Sequence, residues 1–229
     1  MKNHLKRIAA PRTWVLNRKQ NTFIVRPNAG GHPLSYGLPL GLVVRDILQL
    51  ATTMSETKKL LHNKTILVDG RQRKDPRFIV GLFDVLSLPD IHKQYRITLD
   101  KKGKLCLIEI TKEESIFKLG KVVGKTMISK GKTQLHFHDG KNLLVEKTAK
   151  VGDTLVLSLP DLQVKEIMPL KEGSAVFLIK GKHSGDVGTL KEIKGKQAVY
   201  TVGNASIETA TDYLFIIGKD KPFMKVEKI

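Results

Sequence analysis

The chain has 229 residues and 41% hydrophobic content, enough to bury one large core or two to four small ones, and its 40 Lys and Arg stand against 22 Asp and Glu. The resulting formal charge of +18 calls for a polyanionic partner or an anionic membrane surface, and no apolar run approaches the ~20 residues that span a bilayer or forms the core of a signal peptide, so a membrane is the poorer choice and a polyanion is expected. One cysteine, Cys106, excludes a disulfide framework and a multi-cysteine zinc ribbon, while one Trp and four Tyr leave few stacking platforms for single-stranded bases and favour structured nucleic acid.

Residues 1–36 carry Lys2, Lys6, Arg7, Arg12, Arg18, Lys19 and Arg26 and no acidic residue, and Pro11, Pro27 and Pro33 with Gly30 and Gly31 break up any long element. This is a basic arm expected to order on its partner, with Trp14, Leu16, Phe23 and Val25 able to pin parts of it to a folded surface or an RNA groove. A module over residues 37–93 follows. Leu40, Val43, Val44, Ile47, Leu48 and Ala51 recur at the spacing of an amphipathic helix. Thr53 with Glu56 fits a capping box, Ser55 being a competing cap, for a second helix to about Leu61 that exposes Lys58 and Lys59. KTILVDGRQRKDPRFIVGLFDVLSL then reads as strand, Asp-Gly turn, basic stretch and a second strand from about Phe83 to Leu88. Arg71, Arg73, Lys74 and Arg77 fall in or just after that turn, beside Lys58 and Lys59, as one basic surface suited to RNA phosphates.

Residues 94–163 alternate with period two between lysine-rich turns, starting with a hairpin that turns at Lys101 to Gly103, and read as an antiparallel β domain. Residues 164–229 offer five strands, VKEIMPL, SAVFLIKG, VGTLKEIKG, QAVYTV and TDYLFIIGK, enough for a small closed or partly closed barrel. Its first hairpin contains Gly181, Gly185 and Gly188. A phosphate cradle would open a helix after the last glycine, but TLKEIKGKQAVYTV continues as strand, so the glycines serve a tight or bulged turn with Lys180, Lys182 and His183 at its tip.

Sites for catalysis or metal are sparse. His136, His138 and Asp139 form the one close group among seven histidines, without a third or fourth ligand of metal spacing, and the tract reads as a strand entering a turn. Cys106 reads as a small core residue in an alternating strand. Carboxylates are scattered and no nucleophile-elbow, zinc-protease, Walker or Rossmann pattern occurs, so the sequence asks for no enzyme, cofactor or small-molecule substrate.

NHLKRIAAPRTW, LPLGLVVRDIL, KTILVDGRQRKDPRFIVGLFDVLSL and IKGKHSGDVGTL, in that order, resemble the archaeal and eukaryotic ribosomal protein family S4e. The resemblance implies an α+β, mostly β, multidomain chain: an S4-like helix-helix-hairpin RNA-binding module, a central antiparallel β domain and a C-terminal KOW module with an SH3-like barrel. It implies RNA contacts by Lys58, Lys59, Lys64, Arg71, Arg73 and Lys74, and by Lys180, Lys182 and His183 on the glycine turn. The implied role is a structural constituent of the small (30S) ribosomal subunit that binds 16S rRNA beside neighbouring ribosomal proteins in the cytoplasm. The short KDKPFMKVEKI tail after the barrel points to an archaeal member. KOW modules also occur in ribosome-assembly and transcription elongation factors, the alternative reading; RNA pseudouridine synthases share the helix-helix-hairpin, but the Arg-Leu-Asp motif of their catalytic domain is missing.

Overall fold

The computed structural model describes residues 4–128, 131–145, 149–203, 205–219 and 221–226, and the chain parts into two compact units, Met1–Thr98 with Lys104–Ser115 and Leu99–Gly103 with Ile116–Ile229. Both are built mainly from antiparallel sheets with few helices.

In the first unit β1 (Leu5–Lys6) pairs with β2 (Phe23–Ile24), Leu5 opposite Ile24. Residues 4–36, expected to order on a partner, already hold contacts of their own. Trp14 is buried and its indole Nε1–H donates to the Leu34 carbonyl at 3.1 Å. Thr13 Oγ1 donates to the Ser35 carbonyl at 2.6 Å, and the Arg18 guanidinium to the Ala10 and Pro11 carbonyls at 2.7 Å each. A buried indole with its N–H satisfied combines a large apolar contact with no orphaned donor.

β3 (Gly37–Pro39) pairs with β6 (Ile79–Gly81), where a side chain at Gly81 would fall within 2.1 Å of the buried His32 ring. His32 sits 3.0 Å from Asp84, which also accepts from the Gly81 N–H at 2.7 Å. The helix expected over residues 40–51 is shorter and irregular. α1 (Leu40–Leu42) runs directly into a wider turn at Val43–Ile47, closed by the Leu48 N–H on the Val43 carbonyl five residues back. That turn keeps Val43 and Val44 buried and leaves Arg45 and Asp46 half-buried, and the helical run stops before Gln49, whose φ is 54°.

α2 (Met54–Asn63) begins as the capping box requires, at Thr53 rather than Ser55. Thr53 Oγ1 accepts from the Glu56 N–H at 3.2 Å, and the Glu56 carboxylate accepts from the Thr52 and Thr53 N–H groups at 2.9 and 3.3 Å. These bonds hold the Glu56 carboxyl below its usual range, so their contribution is present above that range and fades as pH falls through the depressed value. Thr53→Ala is expected to cost about 1 kcal/mol, read as a fall in urea midpoint at unchanged m-value; an unchanged midpoint would show that the cap carries no weight.

The main sheet of this unit runs β5 (Arg71–Gln72), β4 (Leu67–Val68), β7 (Val85–Leu88), β8 (Lys93–Leu99), β9 (Leu105–Glu109). Asp69 and Gly70 both take positive φ, 51° and 73°, the left-handed pair of a two-residue hairpin turn. The hairpin of β8 and β9, assigned on sequence to the central β domain, pairs into this sheet through β7, with Val85 opposite Arg96. A boundary at 93 therefore passes through a continuous hydrogen-bonded ladder.

The second unit holds two five-stranded antiparallel sheets. The first runs β12 (Asn142–Val145), β11 (Thr133–Phe137), β10 (Phe117–Met127), β13 (Thr154–Ser158), β14 (Gln163–Met168), over a core containing Val122, Leu135, Phe137, Leu155 and Leu157. The second runs β18 (Ala205–Ala210), β17 (Gln197–Val202), β16 (Val187–Lys194), β15 (Ala175–Leu178), β19 (Leu214–Gly218), over Val176, Leu178, Leu190, Tyr200 and Leu214. β14, expected to open the last barrel, instead pairs with β13, Thr154 opposite Met168.

Within this unit Lys121 of β10 is buried, and its ammonium donates to the Asp212 carbonyl at 2.8 Å and the Leu214 carbonyl at 2.6 Å. Burial lowers its pKa to about 8, with Asp212 opposing and Lys180 adding to the shift. Because the folded value lies below the unfolded one, the cost of burying the charge is full below pH 8 and is relieved as pH rises from about 8 to 10.5. The stability of the native chain relative to a Lys121→Met variant should therefore rise across that window by up to about 3 kcal/mol, read by urea titrations at pH 7.5 and 10. A pH-independent difference would mean that Lys121 titrates normally.

Candidate nucleic-acid interface

On the first unit, Lys58 and Lys59 lie exposed on α2, and Lys64 is the exposed C-cap, its ammonium 3.7 Å from Asp90. At the C-cap, Lys64 complements the negative C-terminal end of the helix. Arg71 begins β5 and is exposed, as is Lys74. Arg73 is half-buried: its N–H donates to the Ile66 carbonyl at 3.1 Å and its guanidinium stacks 4.5 Å from the centre of the Phe78 ring. That stacking fixes a planar cation just after β5. Arg77 is also half-buried, with its Nε–H donating to the Arg26 carbonyl at 3.0 Å. Asp75 is the acid of this loop, accepting from the Arg77 N–H and the Asn28 amide at 2.8 Å each.

The basic residues of 1–36 divide by role. Lys6, Arg12 and Lys19 are exposed, and Lys6, Arg18 and Lys19 line a shallow groove of about 400 Å³. Arg18 is half-buried on backbone carbonyls, Arg26 is half-buried, and Lys2 lies outside the described residues. Arg7 is taken from the exposed set altogether: it is 4% exposed, with its guanidinium on the Asn17 carbonyl at 2.8 Å and 3.4 Å from Asp46. Arg45 and Lys104, passed over in the sequence, join Arg7 on one cleft. Arg45 reads in sequence as self-neutralised by Asp46, and Lys104 as one turn lysine among several; only the fold places them together.

On the second unit, Gly181 and Gly185 take φ of 93° and 97°, and a side chain on Gly188 would stand 2.4 Å from the Thr201 carbonyl oxygen. Two of these glycines serve left-handed backbone and the third serves close approach of β16 to β17. Lys180 and Lys182 are exposed, Lys180 lying 6.0 Å over the Tyr213 ring, while His183 Nδ1 sits 3.4 Å from Asp186. His136 and His138 turn to different neighbours: His136 to Thr126 at 2.7 Å and Asn142 at 2.8 Å, His138 to the Lys121 N–H at 3.3 Å and the edge of Phe215. Asp139 is engaged by Lys118 at 2.8 Å.

A family model described as Ribosomal family S4e matches residues 91–164, and one described as the RS4NT (NUC023) domain matches residues 1–35. The chain is 40% identical over 226 residues to "Small ribosomal subunit protein eS4" of Methanocella arvoryzae, covering 96% of each. The chain belongs to the ribosomal S4e family. The eS4 of Methanosphaera stadtmanae is 39% identical, with 98% of this chain and 96% of that protein covered. The crystal structure of the 30S ribosomal protein S4e from Thermoplasma acidophilum superposes with a TM-score of 0.69 at 30% identity, over 80% of this chain and 95% of that one. S4e is a family of ribosomal structural proteins and not of enzymes. Among the described residues no helix is long and apolar enough to cross a membrane.

Proposed function

We propose that this S4e chain is a structural constituent of the small ribosomal subunit in the cytoplasm, holding 16S rRNA beside neighbouring subunit proteins. The observation that carries the reading is identity along nearly the whole length with proteins named for the small subunit, in a chain of charge +18. α1, α2 and the β4–β5 hairpin form the S4-like RNA-binding element, with Lys58, Lys59, Lys64, Arg71, Arg73 and Lys74 toward RNA. Strands β15 to β19 form the KOW, SH3-like element, which offers Lys180, Lys182 and His183 on its glycine turn. Lys6, Arg12, Lys19 and Lys2 add phosphate contacts from the arm, with Arg26 and Arg77 bracing the loop between them. Counterion release supplies affinity, and folded elements on fixed turns set the register of RNA helices.

The test is sedimentation of a lysate on a sucrose gradient before and after a high-salt wash. Retention on the small subunit at near one copy each supports a permanent constituent. Loss on washing, or presence only in immature particles, transfers the chain to the assembly-factor reading.

A further inference from the structure

Arg7, 4% exposed, has a donor that its neighbours leave over. Its Nη1 donates to the Asn17 carbonyl at 2.8 Å and reaches Gln20 Oε1 at 3.5 Å, and its Nη2 lies 3.4 Å from Asp46 Oδ2, yet Nε–H has no hydrogen-bond partner among the described residues. A buried guanidinium N–H left without a partner is costly, and such a cost marks a place where the structure serves something besides its own stability. Arg7 lines a cleft of about 460 Å³ in the first unit, a size within the ~300–1,000 Å³ of small-molecule sites.

The walls of the cleft specify the occupant. Arg7, Arg45 and Lys104 against the single carboxylate of Asp46 leave a net positive site for an anion. Asp46 is already held by Arg45, Nε to Oδ1 at 2.6 Å and Nη2 to Oδ2 at 2.9 Å, so it orients the arginines. Val15 and Leu16 supply an apolar surface, and Asn17, Gln20 and Gln49 supply side-chain amides that both donate and accept. Gln49 enters the lining because the widened turn at Val43–Ile47 ends in its left-handed backbone, φ 54°, an irregularity of the kind that collects at functional sites. A bare phosphate would use the cations and leave the apolar wall and the amides idle. A nucleotide uses all three: a flat base against Val15 and Leu16, polar base edges on the amides, and phosphate on Lys104 and Arg45.

We infer that this cleft receives one unpaired nucleotide of the RNA partner, an inference that rests on the RNA-binding reading above and adds a base-reading site to its phosphate contacts. Unpaired nucleotides are where sequence-specific RNA recognition concentrates, because a splayed base exposes its edges.

The full chain, labelled with ¹⁵N, is titrated with AMP, GMP, CMP and UMP, and with inorganic phosphate, following Arg7 Nε–H and the amides of Gln20 and Gln49. At least one mononucleotide is expected to bind several-fold more tightly than phosphate and to move all three signals. Four nucleotides that bind no better than phosphate overturn the inference. In a second arm, an RNA hairpin with one bulged nucleotide is compared with the same hairpin fully paired, for the native chain and for a Gln20→Ala, Gln49→Ala variant confirmed as folded by its spectrum. The native chain should prefer the bulged RNA about tenfold, and the variant should lose that preference while binding the paired hairpin as before. Equal binding of both RNAs by the native chain removes the base-reading site and leaves the phosphate-binding reading standing. Binding of neither RNA removes both. Tight binding of a mononucleotide without preference for the bulge assigns the cleft to a free nucleotide and overturns the RNA assignment.

Discussion

Asp139→Ala is expected to destabilise the second unit by about 3–5 kcal/mol, the cost of breaking a buried ion pair by removing one of its members. Lys118 of β10 has no exposed surface, and its ammonium lies 2.8 Å from Asp139, whose side chain is 1% exposed; Lys141 approaches the same carboxylate at 3.5 Å. Burial pushes the Asp139 carboxyl up, but Lys118, His138 and Lys141 together outweigh it and hold the group well below the usual carboxylate range. With the folded value depressed, the stabilisation is complete above the unfolded carboxylate range and is lost as pH falls through the folded value. Packed apolar side chains of similar volume can replace a buried ion pair at little net cost, so the pair Lys118→Met with Asp139→Leu should recover most of the loss. Hydrogen exchange of the β10 and β11 amides reports both effects. If Asp139→Ala shifts protection by less than about 1 kcal/mol, the ion pair is not holding that sheet.

That pair also shows where sequence reasoning stops. The Thr53–Glu56 cap and the Asp69–Gly70 turn are legible because every atom they need lies within four residues. Lys118 and Asp139 are 21 positions apart, the first in a strand and the second in a turn; only the pairing of β10 with β11 and β13 brings them into one interior. Arg7 fails in the same way, since its 39-residue separation from Asp46 hides the partner that draws it inside. Periodicity does locate β14, but it cannot choose between neighbours, and β14 pairs backward with β13 rather than forward into the last sheet. The apolar spacing over residues 40–51 announces a helix, while the five-residue bond from Leu48 to Val43 leaves no local mark. The candidate surface is legible as a list of cations. Which of them are exposed is a tertiary fact.

That sorting determines the second prediction. Lys58, Lys59, Arg71 and Lys74 are exposed, whereas Arg73 stacks on Phe78 and Arg77 holds the Arg26 carbonyl. Replacing the first four by Gln should remove up to four phosphate contacts without disturbing a buried group, and each contact contributes about 0.7–0.9 to the slope of log K against log salt. The slope for small-subunit rRNA binding should flatten by roughly 3, which amounts to a thousandfold weaker affinity at 0.1 M salt if both proteins bind alike at 1 M. Replacing Arg73 and Arg77 instead should give a smaller slope change and a measurable loss of stability, because part of their interaction is with the protein. Filter binding of the full chain over a salt series separates the two sets. A slope unchanged by the fourfold variant would take α2 and the β4–β5 hairpin out of the interface and leave the arm and the glycine turn to account for the phosphate contacts.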